Sequence, residues 1–193
     1  PRPPFPAQSG IWGRPTCINN VETLANIPPI ILKGGAWYAG IGTRHSAGTK
    51  ILSVSGDCER PGLYEYPFGV SIRQVLEDCG AKDTQAVQVS GPSGICVAES
   101  EFDRIIGFED IPTAGAFTVF NNTRDMFQVA RNYVHFFQHE SCGFCTPCRV
   151  GTSLLKNLMD KLHNGAGSPY DFAEIEKLNQ LLQSMSHCGL GHT

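Results

Sequence analysis

The stretch Glu140-Ser141-Cys142-Gly143-Phe144-Cys145-Thr146-Pro147-Cys148-Arg149 carries three cysteines in the pattern C-x2-C-x2-C. Thr146-Pro147 reads as a helix N-cap followed by proline at the first helical position, where its missing N–H costs nothing. The three thiols therefore fall across one loop-to-helix junction, and steps of three aim them at a common centre. A fourth thiol, Cys188, stands near the far end of the same helical region. Iron–sulfur clusters are held by four cysteine thiolates, and three close cysteines plus a remote one supply the set. Structural zinc more often takes two separated C-x2-C pairs, or pairs of Cys and His. The spacing favours a four-iron cluster, with zinc and an empty thiol set as the alternatives.

The neighbours of the cysteines suit a redox centre. Gly143 and Gly189 let the backbone come close, and N–H groups exposed there can donate to sulfur. Arg149 would offset thiolate charge, or it is an ordinary surface arginine. His135, His139 and His187 lie near the cysteines, although a solvated or internally satisfied histidine is the commoner role.

Working outward, the period is helical from Asp125 onward. Met126, Val129, Ala130, Tyr133, Val134 and Phe137 recur at steps of three and four. A second helix runs from Thr146-Pro147 to about His163, with Leu154, Leu155, Leu158, Met159 and Leu162 as its apolar face, and Gly165 and Gly167 end it. Asp171 is the expected cap of a third, with Phe172, Ile175, Leu178, Leu181, Leu182 and Met185 turned inward, ending near Ser186–Gly189. Phe136, Phe137 and Phe144 read as core. Three helices with short connections predict a compact antiparallel bundle.

Between Thr49 and Phe120 the signals are those of strands. Lys50–Gly56 is a β run, and Arg60-Pro61-Gly62-Leu63 has the chemistry of a type II turn leading back into Leu63–Tyr66 as a hairpin. Ser71–Gly80 reads as a helix with Ser71 as N-cap, Ile72, Val75, Leu76 and Cys79 buried, and Gly80 as the stop. Ala86–Ser90 and Phe117–Phe120 are the third and fourth strands. A hairpin, a helix across it and further strands make a small α+β unit.

Residues 1–47, rich in Gly and Pro, read mostly as loop, with one helix from about Asn20 to Lys33 that Pro28 and Pro29 shorten or kink. The opening PRPPFP has no secretory pattern, and a chain starting at Pro1 reads as a piece of something longer. Lys+Arg 15 against Asp+Glu 18 gives a net charge of −3, without the basic stripe of a nucleic-acid platform. No apolar run approaches the roughly 20 residues of a membrane span, which predicts a soluble, cytoplasmic chain. Cysteine makes up 8 of 193 residues, too sparse for a disulfide scaffold. Cys79 falls on an apolar stripe, and Cys17, Cys58 and Cys96 beside turns show no mark of a nucleophile. Gly34-Gly35 and Gly40-x-Gly42 follow no strand and make no dinucleotide fingerprint.

The string Glu140–Arg149 is similar to one in the NADH-binding flavoprotein subunit of respiratory complex I. Its relatives include the diaphorase subunit of soluble NAD-linked hydrogenases and the flavoprotein subunits of NAD-linked formate dehydrogenases. Pro15–Asn26, Arg60–Glu65 and Phe120–Ala130 also resemble that family. Ser186-His187-Cys188-Gly189-Leu190-Gly191-His192-Thr193 resembles the hydrogenase branch more than complex I, where Cys-Ala-Leu-Gly is expected.

The resemblance implies an architecture: residues 1–47 as the tail of a flavin- and NADH-binding α/β domain, 48–120 as a β-grasp domain of the soluble-ligand-binding type, and 121–193 as a helical domain with one [4Fe–4S] cluster. It implies Cys142, Cys145, Cys148 and Cys188 as the cluster ligands. Ile18, Asn19 and Asn20 would lie against flavin mononucleotide (FMN), with Gly189 and Leu190 on its other side. The implied role is electron transfer between NAD(H), FMN, the cluster and a partner subunit of a multi-subunit oxidoreductase of the iron–sulfur, hydrogenase or complex I type. The family's Gly-rich flavin and nicotinamide loops have no counterpart in this sequence, so the chain alone is not expected to oxidise NADH. A β-grasp binding module with a structural zinc bundle is the competing reading, and a structural domain with reduced, empty cysteines is a third.

Overall fold

The computed structural model describes residues 4–193, so the first three residues of the PRPPFP opening lie outside it. Asn20 accepts the N–H of Glu22 at 2.8 Å and caps helix α1, Val21–Lys33. Pro28 and Pro29 stand inside α1, which runs on through them, so the expected shortening does not occur. A one-turn helix α2, Gly35–Ala39, follows where loop was expected.

A five-stranded sheet comes next. Strands β1 (Thr49–Gly56) and β2 (Gly62–Pro67) precede helix α3 (Ile72–Cys79). Strands β3 (Thr84–Val89), β4 (Ile95–Ala98) and β5 (Ala116–Asn121) follow it. The order is β2-β1-β5-β3-β4. β1 and β5 pair in parallel at the centre, and every other pair is antiparallel. The chain is thus mixed α/β, with one strand more than the sequence suggested.

Alternation along the strands sends Leu52, Val54, Val87, Val89, Val97, Phe117 and Val119 to one face, where α3 covers them with Ile72, Val75, Leu76 and Cys79. All of these are buried, as the apolar stripe of α3 anticipated. Ser71 caps that helix by accepting the N–H of Gln74 at 3.2 Å, and Gly80 ends it in the left-handed conformation.

The β1–β2 connection departs from expectation. Gly62 lacks the positive φ of a type II turn and is instead the first residue of β2, opposite Val54. Arg60 explains the change. Its guanidinium donates to the carbonyls of Asp78 (2.9 Å) and Glu77 (3.3 Å), and its N–H donates to Cys79 O at 2.9 Å. The connection is therefore tied to the C-terminal end of α3, where a cation meets unpaired carbonyls.

The helical region starts from a pinned corner. Asp57 pairs with Arg124 at 2.6 Å and accepts the N–H of Asn121, while Gln85 donates to the carbonyls of Asn121 and Arg124. Asp125 then caps α4, Met126–Glu140. Thr118 and Phe120 of β5 line one cavity with Val129 and Tyr133 of α4, which sets α4 beside the second face of the sheet.

Helix α5 is Thr146–His163, and α6 is Pro169–Met185. Two cap assignments shift. Cys145, not Thr146, is the N-cap of α5, and Ser168 is that of α6, with Asp171 closing a capping box from the third position. Leu178 and Leu182 of α6 are buried, but Phe172, Leu181 and Met185 face solvent, as does Leu154 of α5. Phe136 and Phe144 are exposed rather than core, Phe144 standing in the loop between α4 and α5. A short helix α7, Gly189–His192, was not foreseen. Among the described residues no helix is long and apolar enough to cross a membrane.

The α4–α5 seam is charged. Asp160 accepts from Arg131 (2.7 Å), Lys156 (2.9 Å) and His135 (2.9 Å). Lys156 first, then Arg131 and His135, hold its carboxyl well below the usual carboxylate range. A depressed folded-state pKa gives stability that is present above the unfolded value, about 3.9, and lost as pH falls toward the folded one. Asp160→Asn is accordingly expected to lower the thermal midpoint at pH 7, and the gap from the unaltered chain should narrow below about pH 4. Melts at the two pH values check this; an equal gap at both would mean that the carboxylate charge is not what stabilises the seam.

Candidate metal centre

Residues 141–145 connect α4 to α5 and hold two of the four thiols, while Cys148 lies in the first turn of α5. Gly143 turns this loop with φ 72°, a conformation that side chains disfavour. Arg149 fastens it by donating to Gly143 O at 2.6 Å and to Thr146 Oγ1 at 3.4 Å. The fourth thiol follows α6: Cys188 is extended and acts as N-cap of α7, its carbonyl accepting from Gly191 at 3.1 Å.

Two contacts bring the two cysteine-bearing segments together. The Phe144 and His187 rings meet edge to face with centroids 5.6 Å apart. A Cβ on Gly191 would stand 2.3 Å from Ser186 Oγ and 3.3 Å from Cys148 Cβ, so only glycine lets α7 close on the first turn of α5.

Electrostatics favour thiolate at this junction. N–H donation by His187 and then Cys148 lowers the Cys145 pKa, and the Arg149 charge adds to the effect. That pattern, at a helix N-terminus beside an arginine, is how proteins stabilise a ligating thiolate. Cys148 is buried, Cys145 half-buried, and Cys142 and Cys188 exposed. The donor set therefore fits a group bound through thiolates. Among the described residues no three Cys, His, Asp or Glu side chains gather tightly enough to enclose a single metal ion.

The histidines have other partners. His135 pairs with Asp160, His139 with Glu140 and the His187 ring with Phe144. The residues expected around a flavin stand in two segments, 18–20 and 189–190. Ile18 is exposed, Asn19 donates to Cys17 Sγ at 3.5 Å, and Asn20 is occupied as the cap of α1. Gly189 has open space around it, while Leu190 lies half-buried near Val134, Phe137 and Leu155. Among the described residues no hydrogen bond or ring contact joins 17–20 to 186–191. The reading by sequence missed Ser141, whose hydroxyl reaches Cys148, and Gly191.

Residues 128–193 match the family model for the NADH-ubiquinone oxidoreductase-F iron–sulfur binding region, and all four cysteines fall inside the match. Over 193 residues the chain is 44% identical to the NAD-reducing hydrogenase HoxS subunit alpha of Cupriavidus necator, covering 100% of this chain and 32% of that protein. Over 192 residues it is 40% identical to an NADH-quinone oxidoreductase subunit of Escherichia coli, covering 94% and 43%. The chain is a homologue of these subunits, and its residues 128–193 match the iron–sulfur binding region of that family model. A crystal structure of an NAD+-reducing [NiFe]-hydrogenase in the H2-reduced state superposes with a TM-score of 0.90 at 40% identity. The match covers 99% of this chain and 34% of the hydrogenase chain. This homologue thus spans about a third to under half the length of those relatives.

Proposed function

We propose that Cys142, Cys145, Cys148 and Cys188 hold one [4Fe–4S] cluster, through which an NAD(H)-linked oxidoreductase subunit exchanges single electrons with a partner subunit. The observation that carries this reading is the meeting of two cysteine-bearing segments, where the Phe144 and His187 rings touch and Gly191 packs against Cys148. When bound, the cluster supplies reversible one-electron storage. The chain's own residues do the rest. Arg149 and Gly143 hold the loop in shape, Cys145 and Cys148 stand at one helix end, and Gly191 lets α7, which begins after Cys188, close on Cys148.

Within the same reading, residues 48–120 are a β-grasp domain of the soluble-ligand-binding type, supported by the parallel β1–β5 pair crossed by α3. Residues 121–193 are an antiparallel bundle, supported by pairings that link the start of α4 to the end of α5 and the end of α5 to the start of α6. FMN and NAD(H) would act in the longer subunit, with Ile18, Asn19 and Asn20 on one side of the flavin and Gly189 and Leu190 on the other. The partners would be iron–sulfur and hydrogenase or complex I type subunits, in a cytoplasmic or peripheral assembly.

The test is metal content and a visible spectrum on chain purified without oxygen. About four iron atoms per chain, with a broad absorption band bleached by dithionite, are expected. One zinc per chain and no colour would replace the redox reading with a structural zinc site.

A further inference from the structure

Ser141 stands one residue before the first cysteine of the triplet and ends α4 with φ −62° and ψ 122°. Its half-buried hydroxyl oxygen lies 3.3 Å from Cys148 Sγ and accepts the Gly143 N–H at 3.4 Å. The protonation state of the sulfur decides the direction of the bond. A thiolate offers only lone pairs, so the proton between the two atoms is that of the Ser141 hydroxyl. Cys148 must be a thiolate to ligate metal, so in the loaded site Ser141 O–H donates to Cys148 Sγ. Cys148 is 5% exposed, and at that depth a hydrogen bond to charge is worth more than in water.

We propose that Ser141 is a positioning residue that raises the reduction potential of the cluster by donating a hydrogen bond to Cys148 Sγ. The proposal rests on the reading of the four cysteines as cluster ligands. One electron is added on reduction, supplied in the test by dithionite, and the serine keeps its proton throughout. Part of the added negative charge falls on the cysteinyl sulfurs, so a donor to Sγ stabilises the reduced state more than the oxidised one. Of the four thiols, Cys148 is the only one given a side-chain hydroxyl among the described residues, which makes the effect specific to this ligand.

The experiment is a dithionite titration of anaerobically purified chain followed by electron paramagnetic resonance, with iron measured on every sample. Ser141→Ala is expected to keep its iron and move the midpoint potential to a more negative value. Ser141→Thr, which retains the hydroxyl, should titrate with the unaltered chain. So should Ser153→Ala, which removes a hydroxyl bonded to Arg149 O on the same helix. Iron present with an unmoved midpoint in Ser141→Ala overturns the proposal, as does a Ser141→Thr midpoint displaced equally. Loss of iron from Ser141→Ala alone would make the serine a structural closure of the loop and overturn its tuning role. Absence of iron from the unaltered chain would overturn the ligand reading and this inference with it.

Discussion

Replacing Cys145 by alanine should strip the chain of bound iron, from about four atoms to less than one, with loss of the visible absorption band. Cys145 is the N-cap of α5, between Phe144, whose ring meets His187, and the first turn that carries Cys148. Alanine there removes a ligand where the two cysteine-bearing segments meet. The remaining thiols could not compensate, because Cys142 and Cys188 are exposed and Cys148 is fixed in the first turn of α5. Cys96→Ala is the control: its thiol is on β4, in another part of the fold, and its iron content should be unchanged. Iron and acid-labile sulfide assays on the two variants decide the matter. Retention of all four iron atoms with an unchanged spectrum in Cys145→Ala would remove it from the ligand set.

What could be read from sequence was what is determined locally. The Ser71 cap, the Ile72-Val75-Leu76-Cys79 stripe and the Gly80 stop each depend on residues within one or two turns, and all three stand in the structure. The cysteine triplet was legible for the same reason, its spacing lying within one loop-to-helix junction. The misreadings share a different cause. Pro61-Gly62 carries turn chemistry, but Arg60 finds carbonyls at Glu77 and Asp78 and draws the connection out over α3. Strand β4 is four residues of Ile-Cys-Val-Ala, too short to show a period, and it exists through its pairing with β3. Thr146 has the side chain of a cap but lies one residue inside the helix, since the loop from Gly143 delivers Cys145 to that position. At the site itself, neither the meeting of the Phe144 and His187 rings nor the reach of Ser141 to Cys148 has any signature along the chain. Both depend on how α7 and the 141–145 loop fold back on α5.

Phe117→Ala is expected to destabilise the sheet by about 3–5 kcal/mol, the cost of emptying a large buried aromatic site. Phe117 is fully buried and sits on β5, the strand that joins the two halves of the sheet. Its partners across the ladders are Val54 on β1 and Val89 on β3, so one ring packs against both neighbours at once. Removing it opens a cavity in the layer between the sheet and α3, where the surrounding residues are held by strand register and collapse only in part. Against the roughly 5–15 kcal/mol typical of a folded domain, that loss is a large share. Phe117→Leu keeps much of the volume and should cost under about 1.5 kcal/mol if the site repacks. The contrast separates packing from strand preference, since alanine and leucine differ far more in volume than in tolerance of a pleated strand. Urea unfolding followed by far-ultraviolet circular dichroism measures both. Similar losses for the two variants would mean that the aromatic ring itself, rather than the space it fills, ties the two halves of the sheet together.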